Sequence, residues 1–324
     1  MSEYRHDPIS DNWVIIAFAR SERPDEFGVS RWYRAATTCP FCIGQESETP
    51  PEIARYALPG EALWRVRVVP NKYPAVAPAS SNGRVRSAPF RKLAGRGVHE
   101  VIIESPTHVV SLTDLPETYA QLAFRAYADR LTAMRREPKM AYGVVFKNVG
   151  PEAGASLEHV HSQVLATTLV PQTVAAQHAR WKRKNRTGNV FERFLAEEME
   201  DGSRVVAQSE RFVALCPFAS RVPYEVRVLP IRHAAYFERT DPAHLDELAR
   251  LVRDIFRRIE AATSHGPYNF IIHTAPFDTG DHDYYYWHIE ILPRLTRTAG
   301  FEWGSGCYIN PLPPEVAADR LRQL

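Results

Sequence analysis

Asn148-Val-Gly150-Pro-Glu-Ala-Gly154-Ala-Ser156-Leu-Glu-His159-Val-His161-Ser-Gln163 is the stretch whose reading decides the fold and the chemistry of this chain. It lies between two apolar runs and gathers glycines, a serine, two histidines and a glutamine. In an extended segment successive side chains alternate faces, so positions 159, 161 and 163 point the same way and put two imidazoles and a carboxamide together. Upstream, Gly150 and Gly154 let the backbone approach a bound group closely, and Asn148 and Ser156 offer neutral hydrogen-bonding groups suited to phosphate oxygens. The stretch reads as a phosphate site beside an imidazole, carried on a catalytic strand.

Working outward, Ala141 to Lys147 is a strand, and so is His99 to Glu104, which Ser105-Pro-Thr-His108 breaks. Asp114-Leu-Pro-Glu117 then starts a helix with Tyr119, Leu122, Tyr127, Leu131 and Met134 at helical spacing, stopped by Pro138. Further upstream, Trp13-Val-Ile-Ile reads as a buried strand and Leu63 to Val69 alternates with period two up to Pro70-Asn71. Pro78 to Arg96, rich in Ser, Gly, Arg and Pro, reads as an exposed loop. The order strand, strand, helix, strand, strand recurs: Phe212 to Cys216, Tyr224 to Leu229, a helix from Asp241-Pro242 with Leu245, Leu248, Val252, Ile255 and Ile259 on one face, Tyr268 to His273, and Tyr285 to Leu292. The chain is therefore expected to be a duplicated α+β unit, with domains at 1–175 and 188–324 and the basic stretch Gln177 to Arg186 as a connection. This repeat sets His159-Val-His161 against His288-Ile-Glu290, so that a carboxylate replaces His161 in the second copy and only the first keeps a nucleophile.

A chain of 324 residues has room for such a pair. Its net charge of +2 and lack of a long basic run give no electrostatic case for nucleic acid or an anionic membrane. Apolar runs of strand length only, and an N-terminus without an apolar or arginine-rich targeting pattern, predict a cytoplasmic protein. Four cysteines are too few for a disulfide scaffold of this size. Cys39-Pro-Phe-Cys42 instead has the C-x2-C spacing of a zinc half-site, and His108 and His159 are the first-half histidines chosen to complete it. Four protein ligands leave no position for water, so this Zn2+ is expected to be structural, tying the knuckle to the catalytic strand. Arg20 and Arg23, three residues apart before Pro24, are spaced to clamp a phosphate or carboxylate.

Together, H-x-H-x-Q after N-x-G-x-x-x-G-x-S, Arg20 and Arg23 before Pro24, the Cys39–Cys42 knuckle, Asn71 after a strand and the His273 to His288 half resemble the galactose-1-phosphate uridylyltransferase family, a branch of the histidine triad superfamily. The resemblance covers nearly the whole chain. It implies two histidine-triad-like domains, each an antiparallel-rich sheet with helices on one side, commonly in a homodimer. It implies that His161 attacks the α-phosphorus of UDP-glucose, releases glucose 1-phosphate and holds a uridylyl group until galactose 1-phosphate or another sugar phosphate takes it. A neutral imidazole suits that role when a carbonyl orients its other nitrogen. Gln163 would donate to a non-bridging oxygen; Asn148, Gly154 and Ser156 would hold the diphosphate; Arg20, Arg23 and Asn71 match nucleotide- or phosphate-binding positions; and His159 matches the zinc ligand. A second metal of some members would fall on Gln177, His273, His288 and Glu290, where a glutamine and only two histidines predict an absent or weak site. The tail, Gly300 to Pro311, is similar to the branch containing plant ADP-glucose phosphorylase, which makes adenylyl transfer through the same histidine the alternative activity. A third reading, a histidine-triad hydrolase, calls for histidine where Gln163 stands.

Overall fold

The computed structural model describes residues 2–17, 39–78, 85–87, 90–185, 188–277, 280 and 282–324. Its strands are β1 (Glu3–His6), β2 (Trp13–Ile16), β3 (Ala54–Tyr56), β4 (Val66–Pro70), β5 (Val85–Ser87), β6 (Phe90–Lys92), β7 (Gly97–Ile103), β8 (Tyr142–Val149) and β9 (His161–Thr167) in the first half. The second half adds β10 (Val205–Gln208), β11 (Phe212–Leu215), β12 (Val226–Pro230), β13 (Tyr268–His273), β14 (His288–Pro293) and β15 (Tyr308–Asn310). Helices are α1 (Glu117–Arg136), α2 (Gln172–Lys184), α3 (Val190–Asp201), α4 (Pro242–Ala262), α5 (Gly300–Ser305) and α6 (Pro314–Arg322). No described helix is long and apolar enough to cross a membrane.

Ten strands form one sheet in the order β10-β11-β12-β14-β13-β8-β9-β7-β4-β3, every neighbour antiparallel. Read inward from either edge the succession is the same, and the halves meet where β8 pairs with β13, Phe146 opposite Ile271. The mixed α+β architecture and the repeated element order follow the hydrophobic patterning. On one face, Val66, Val68, Ile102, Val145 and Val164 from the first half and Val226, Val228, Phe270 and Ile289 from the second pack in one core with the apolar stripes of α1 and α4. Such interiors are packed like organic crystals, which holds strand register firmly.

The other face differs between the halves. In the second, Val213, Leu215 and Leu229 pack with Trp181 of α2 and Phe191, Phe194 and Leu195 of α3. The expectation of helices on one side therefore fails there: the segment read as a connection forms a helix whose Trp181 is buried. In the first half that face carries instead the Cys39 segment and the site described below. The 78–96 segment, read as a loop, contains the β5–β6 hairpin. Asp241 stands at the N-cap of α4, but its side chain makes no capping bond.

Candidate active site

The chain reverses at the knuckle through a Cys42 N–H bond to the Cys39 carbonyl, and Ile43 N–H bonds the Pro106 carbonyl of the turn after β7. This brings Cys39, Cys42, His108 and His159 together with their ligand atoms all within 4.8 Å. Cys39 Sγ lies 3.4 Å and Cys42 Sγ 3.7 Å from His159 Nδ1, and Cys42 Sγ lies 3.8 Å from His108 Nδ1. With metal–sulfur bonds of about 2.3 Å and metal–nitrogen bonds of about 2.0 Å, tetrahedral ligand atoms stand roughly 3.3–3.8 Å apart, so the cluster fits a zinc ion. His159 Nε2 donates to the Ser105 carbonyl at 2.9 Å, which leaves Nδ1 with its lone pair toward the sulfurs. Burial, with His108 and His161 close by, pulls His159 down to about 4, and burial with Cys39 pushes the Cys42 thiol up to about 11, a cost a divalent cation reverses.

Two residues on, His161 opens β9 and is buried, and its Nδ1 donates to the His159 carbonyl at 2.7 Å. The hydrogen of the neutral ring is thereby placed on Nδ1 and the lone pair on Nε2. Burial keeps its pKa below the ordinary imidazole value, so the neutral form prevails at pH 7. The ring of Phe41, between the knuckle cysteines, meets both imidazoles edge-on, with centroids 5.9 Å from His159 and 5.3 Å from His161. His159 itself lies just before the strand, yet on the predicted face.

His161 lines a small cavity with Asn148, Gly150 and His159 and, on its other side, a cleft of about 720 Å³ with Phe41, Asn71, Ser156 and Gln163. Gly150 and Gly154 both have positive φ, 82° and 88°, and their turn folds the chain back beside β8. Asn148 Oδ1 accepts from Asn269 Nδ2 at 2.9 Å, so the second half holds this side chain. The residues predicted for catalysis, for phosphate or nucleotide binding and for the Cys39 zinc site are, where described, thus gathered at one end of β8 and β9; Arg20 and Arg23 lie outside the described residues. In the tail, Glu302 accepts from the Ala299 amide, Tyr308 pairs in β15 with β2, and buried Asn310 bonds Ser220 and Leu312.

Beneath His161, on the core face, Lys147 and Glu104 form a fully buried ion pair. Lys147 Nζ also donates to the His161 carbonyl at 3.0 Å, and Glu104 accepts from Tyr127 and, at 2.6 Å, from Ser162. Opposite charges at core-facing positions of two apolar strands were the sequence signal for this network.

The family model described as galactose-1-phosphate uridyl transferase, N-terminal domain, matches residues 2–171. The chain belongs to this nucleotidyltransferase family. A second family model, a domain of unknown function (DUF4921), matches residues 110–324. ADP-glucose phosphorylase of Arabidopsis thaliana is 33% identical over 99% of this chain and 93% of its own length. Galactose-1-phosphate uridylyltransferase of Thermotoga maritima is 29% identical over 100% of this chain and 98% of its own. The crystal structure of the Arabidopsis ADP-glucose phosphorylase with bound ADP-glucose superposes with a TM-score of 0.85 at 32% identity, covering 100% of this chain and 99% of that one.

The second half corrects the internal alignment. His288 opens β14 as His161 opens β9, and its Nδ1 donates to the carbonyl two residues earlier, Tyr286, at 3.1 Å. Gln163, Phe146, Ile271 and Glu290 form one row across the joined sheet. His288 is therefore the counterpart of His161, and Glu290 that of Gln163, a shift of two residues that sequence spacing does not reveal. His273, His288 and Glu290 have ligand atoms within 4.8 Å, but Glu290 already meets Arg221 at 2.9 Å, Arg227 at 3.4 Å and His273 Nε2 at 3.2 Å. Burial works against the Glu290 carboxylate, and Arg221, His273 and Arg227 outweigh it and hold its pKa well below the usual range. Two fixed guanidinium charges repel a divalent cation, so these residues do not fit the second metal.

Proposed function

We propose that the chain transfers a nucleotidyl group from a nucleoside diphosphate sugar through a covalent adduct on His161. The observation that carries this is the His161 Nδ1–His159 carbonyl bond, which leaves Nε2 as the nucleophile at the edge of a cleft shared with Gln163 and Ser156. Nε2 attacks the α-phosphorus, an N–P bond forms, the bond to the bridging oxygen breaks and the sugar 1-phosphate leaves; an acceptor phosphate oxygen then takes the group and restores the imidazole. Gln163 and the glycine-loop groups, with Asn148 and Ser156, hold the phosphate oxygens, Asn71 lies on the nucleotide side, and Zn2+ at Cys39, Cys42, His108 and His159 supplies rigidity. The halves 1–175 and 188–324 act as a catalytic and a degenerate copy, and the chain works as a homodimer.

In one form the donor is UDP-glucose and the acceptor a hexose 1-phosphate such as galactose 1-phosphate. In the other the donor is ADP-glucose and the acceptor inorganic phosphate; the full-length similarity to the Arabidopsis ADP-glucose phosphorylase gives this reading at least equal support. Incubating the zinc-loaded protein separately with UDP-glucose and ADP-glucose and reading its intact mass decides between them by which nucleotidyl adduct accumulates. His161→Ala is expected to abolish the adduct while keeping fold and zinc; turnover unchanged in that variant would refute the assignment.

A further inference from the structure

Among the described residues Gln163 is held by its oxygen alone. Oε1 lies 2.8 Å from His99 Nε2 and 3.2 Å from Asn71 Nδ2, and those two nitrogens stand 3.2 Å apart around it. What fixes this arrangement is a backbone group: the Ala75 N–H donates to His99 Nδ1 at 3.1 Å. An amide N–H only donates, so Nδ1 carries the lone pair, and the hydrogen of the neutral ring sits on Nε2. His99 Nε2 and Asn71 Nδ2 are then two donors converging on one atom of Gln163, which must be its oxygen, because the opposite setting of the carboxamide would put its NH2 against both. The NH2 group is therefore turned away from His99, and Gln163 lines the same cleft as His161, two residues along the same strand face. His99 and His161 hold opposite tautomers, each set by one backbone group.

We propose that His99 is a positioning residue for nucleotidyl transfer, which fixes the Gln163 carboxamide with its NH2 toward the transferring phosphate. This rests on the reading of His161 as the nucleophile. His99 also fastens the opposite wall of the cleft: its carbonyl accepts from the Asn71 N–H at 2.9 Å, and Asn71 Oδ1 in turn accepts from the Tyr73 N–H at 2.8 Å. Burial lowers the His99 pKa from its ordinary value, which favours the neutral ring that the arrangement requires. A carboxamide free to rotate would spend part of its time presenting oxygen to a phosphate oxygen, and that repulsion weighs most as charge builds in the transition state.

The test follows the rate of nucleotidyl adduct formation, by rapid quench and intact mass, with UDP-glucose and with ADP-glucose. Misplaced supporting hydrogen bonds typically cost about 10- to 100-fold, and His99→Phe and His99→Met are expected to slow the adduct step by that much with the KM for the sugar nucleotide changed less than about threefold. His99→Gln, whose amide can donate to Gln163, is expected to recover most of the rate. Combined with Gln163→Ala, His99→Phe should add less than about twofold to the loss from Gln163→Ala alone, because one removes the purpose of the other. Fold is checked by circular dichroism and zinc content, and His99→Met and His99→Gln carry the test if the phenylalanine variant does not fold. Wild-type rates in both His99→Phe and His99→Met, or losses that multiply in the double variant, would overturn the inference, the latter leaving His99 as a loop anchor. Should the wild-type protein form neither adduct, the parent reading falls and this one with it; an adduct formed normally without His99 sinks this one alone.

Discussion

Lys147→Met is the most informative perturbation of the fold under the site. The side chains of Lys147 and Glu104 are 2% and 0% exposed, so removing the ammonium leaves a carboxylate with hydrogen bonds from Tyr127 and Ser162 but no counter-charge. Breaking one side of a buried pair costs about 3–5 kcal/mol, much of it the stranded charge. Of this, the lost Lys147 bond to the His161 carbonyl is about 1 kcal/mol. Glu104→Gln in the same chain removes the stranded charge while still accepting from Tyr127 and Ser162, and the double variant is expected to lie within about 2 kcal/mol of wild type. Equilibrium urea unfolding of the zinc-loaded protein measures all four forms. A single-variant loss below about 1 kcal/mol, or a double variant that simply sums the singles, would refute the reasoning, since either means that the charges do not depend on each other. Adduct formation in the double variant is expected to slow, because the carbonyl that carries His161 has lost its donor while the charge imbalance is gone.

Removing the metal with a chelator, or replacing Cys39 by serine, is expected to lower stability by about 4 kcal/mol or more, a fall of roughly 10 °C in thermal midpoint. A midpoint unmoved by complete metal loss would remove zinc from the architecture. Asp7 is fully buried against Arg227, 2.9 Å away; burial raises its pKa, and Arg227, Ser10 and the Ile9 amide outweigh that and hold it at about 2 against an ordinary 3.8. A depressed carboxyl stabilises the fold above its unfolded pKa, so the contribution of about 2 kcal/mol is complete at pH 7 and fades as pH falls from about 4 toward 2. Asp7→Asn should therefore be less stable by about that amount at neutral pH, with a gap that closes over the same window in urea titrations; a pH-independent gap contradicts the pairing.

What was legible in the sequence is what depends on local period. Alternation gave β4, β8 and β9, helical spacing gave α1 and α4, and the H-x-H-x-Q face with C-x2-C gave the histidines and cysteines that the fold brings together. What escaped depends on register between distant strands. His99 reaches Gln163 only because β7 and β9 pair with Val101 opposite Gln163, and no local pattern fixes a pairing across sixty residues. Glu104 and Lys147 each carry the local period of a core-facing position, but that they meet one another follows from β7 and β8 flanking β9. Helix α3 carries a local signal of its own: Asn189 caps it through the Phe191 and Glu192 amides, and Phe191, Phe194 and Leu195 form its apolar face.

That helix explains why, among the described residues, the duplicated chain has one candidate site and not two. The second half keeps the imidazole and its carbonyl, His288 on Tyr286, so the local device for a nucleophile survives there. Its surroundings have been converted. Phe191 of α3 stands 6.0 Å from the His288 ring, His273 stacks on it at 4.7 Å, and burial followed by His273 pulls its pKa down to about 3. In place of Gln163, whose amide can donate to phosphate, stands Glu290, whose carboxylate repels phosphate and is already committed to Arg221 and Arg227. The same sheet face is thus open over Gln163 and closed over Glu290, and the arginine–carboxylate cluster does in the second half what the zinc cluster is proposed to do in the first: it ties an N-terminal segment, here through Asp7 and Arg227, to the start of a histidine-bearing strand.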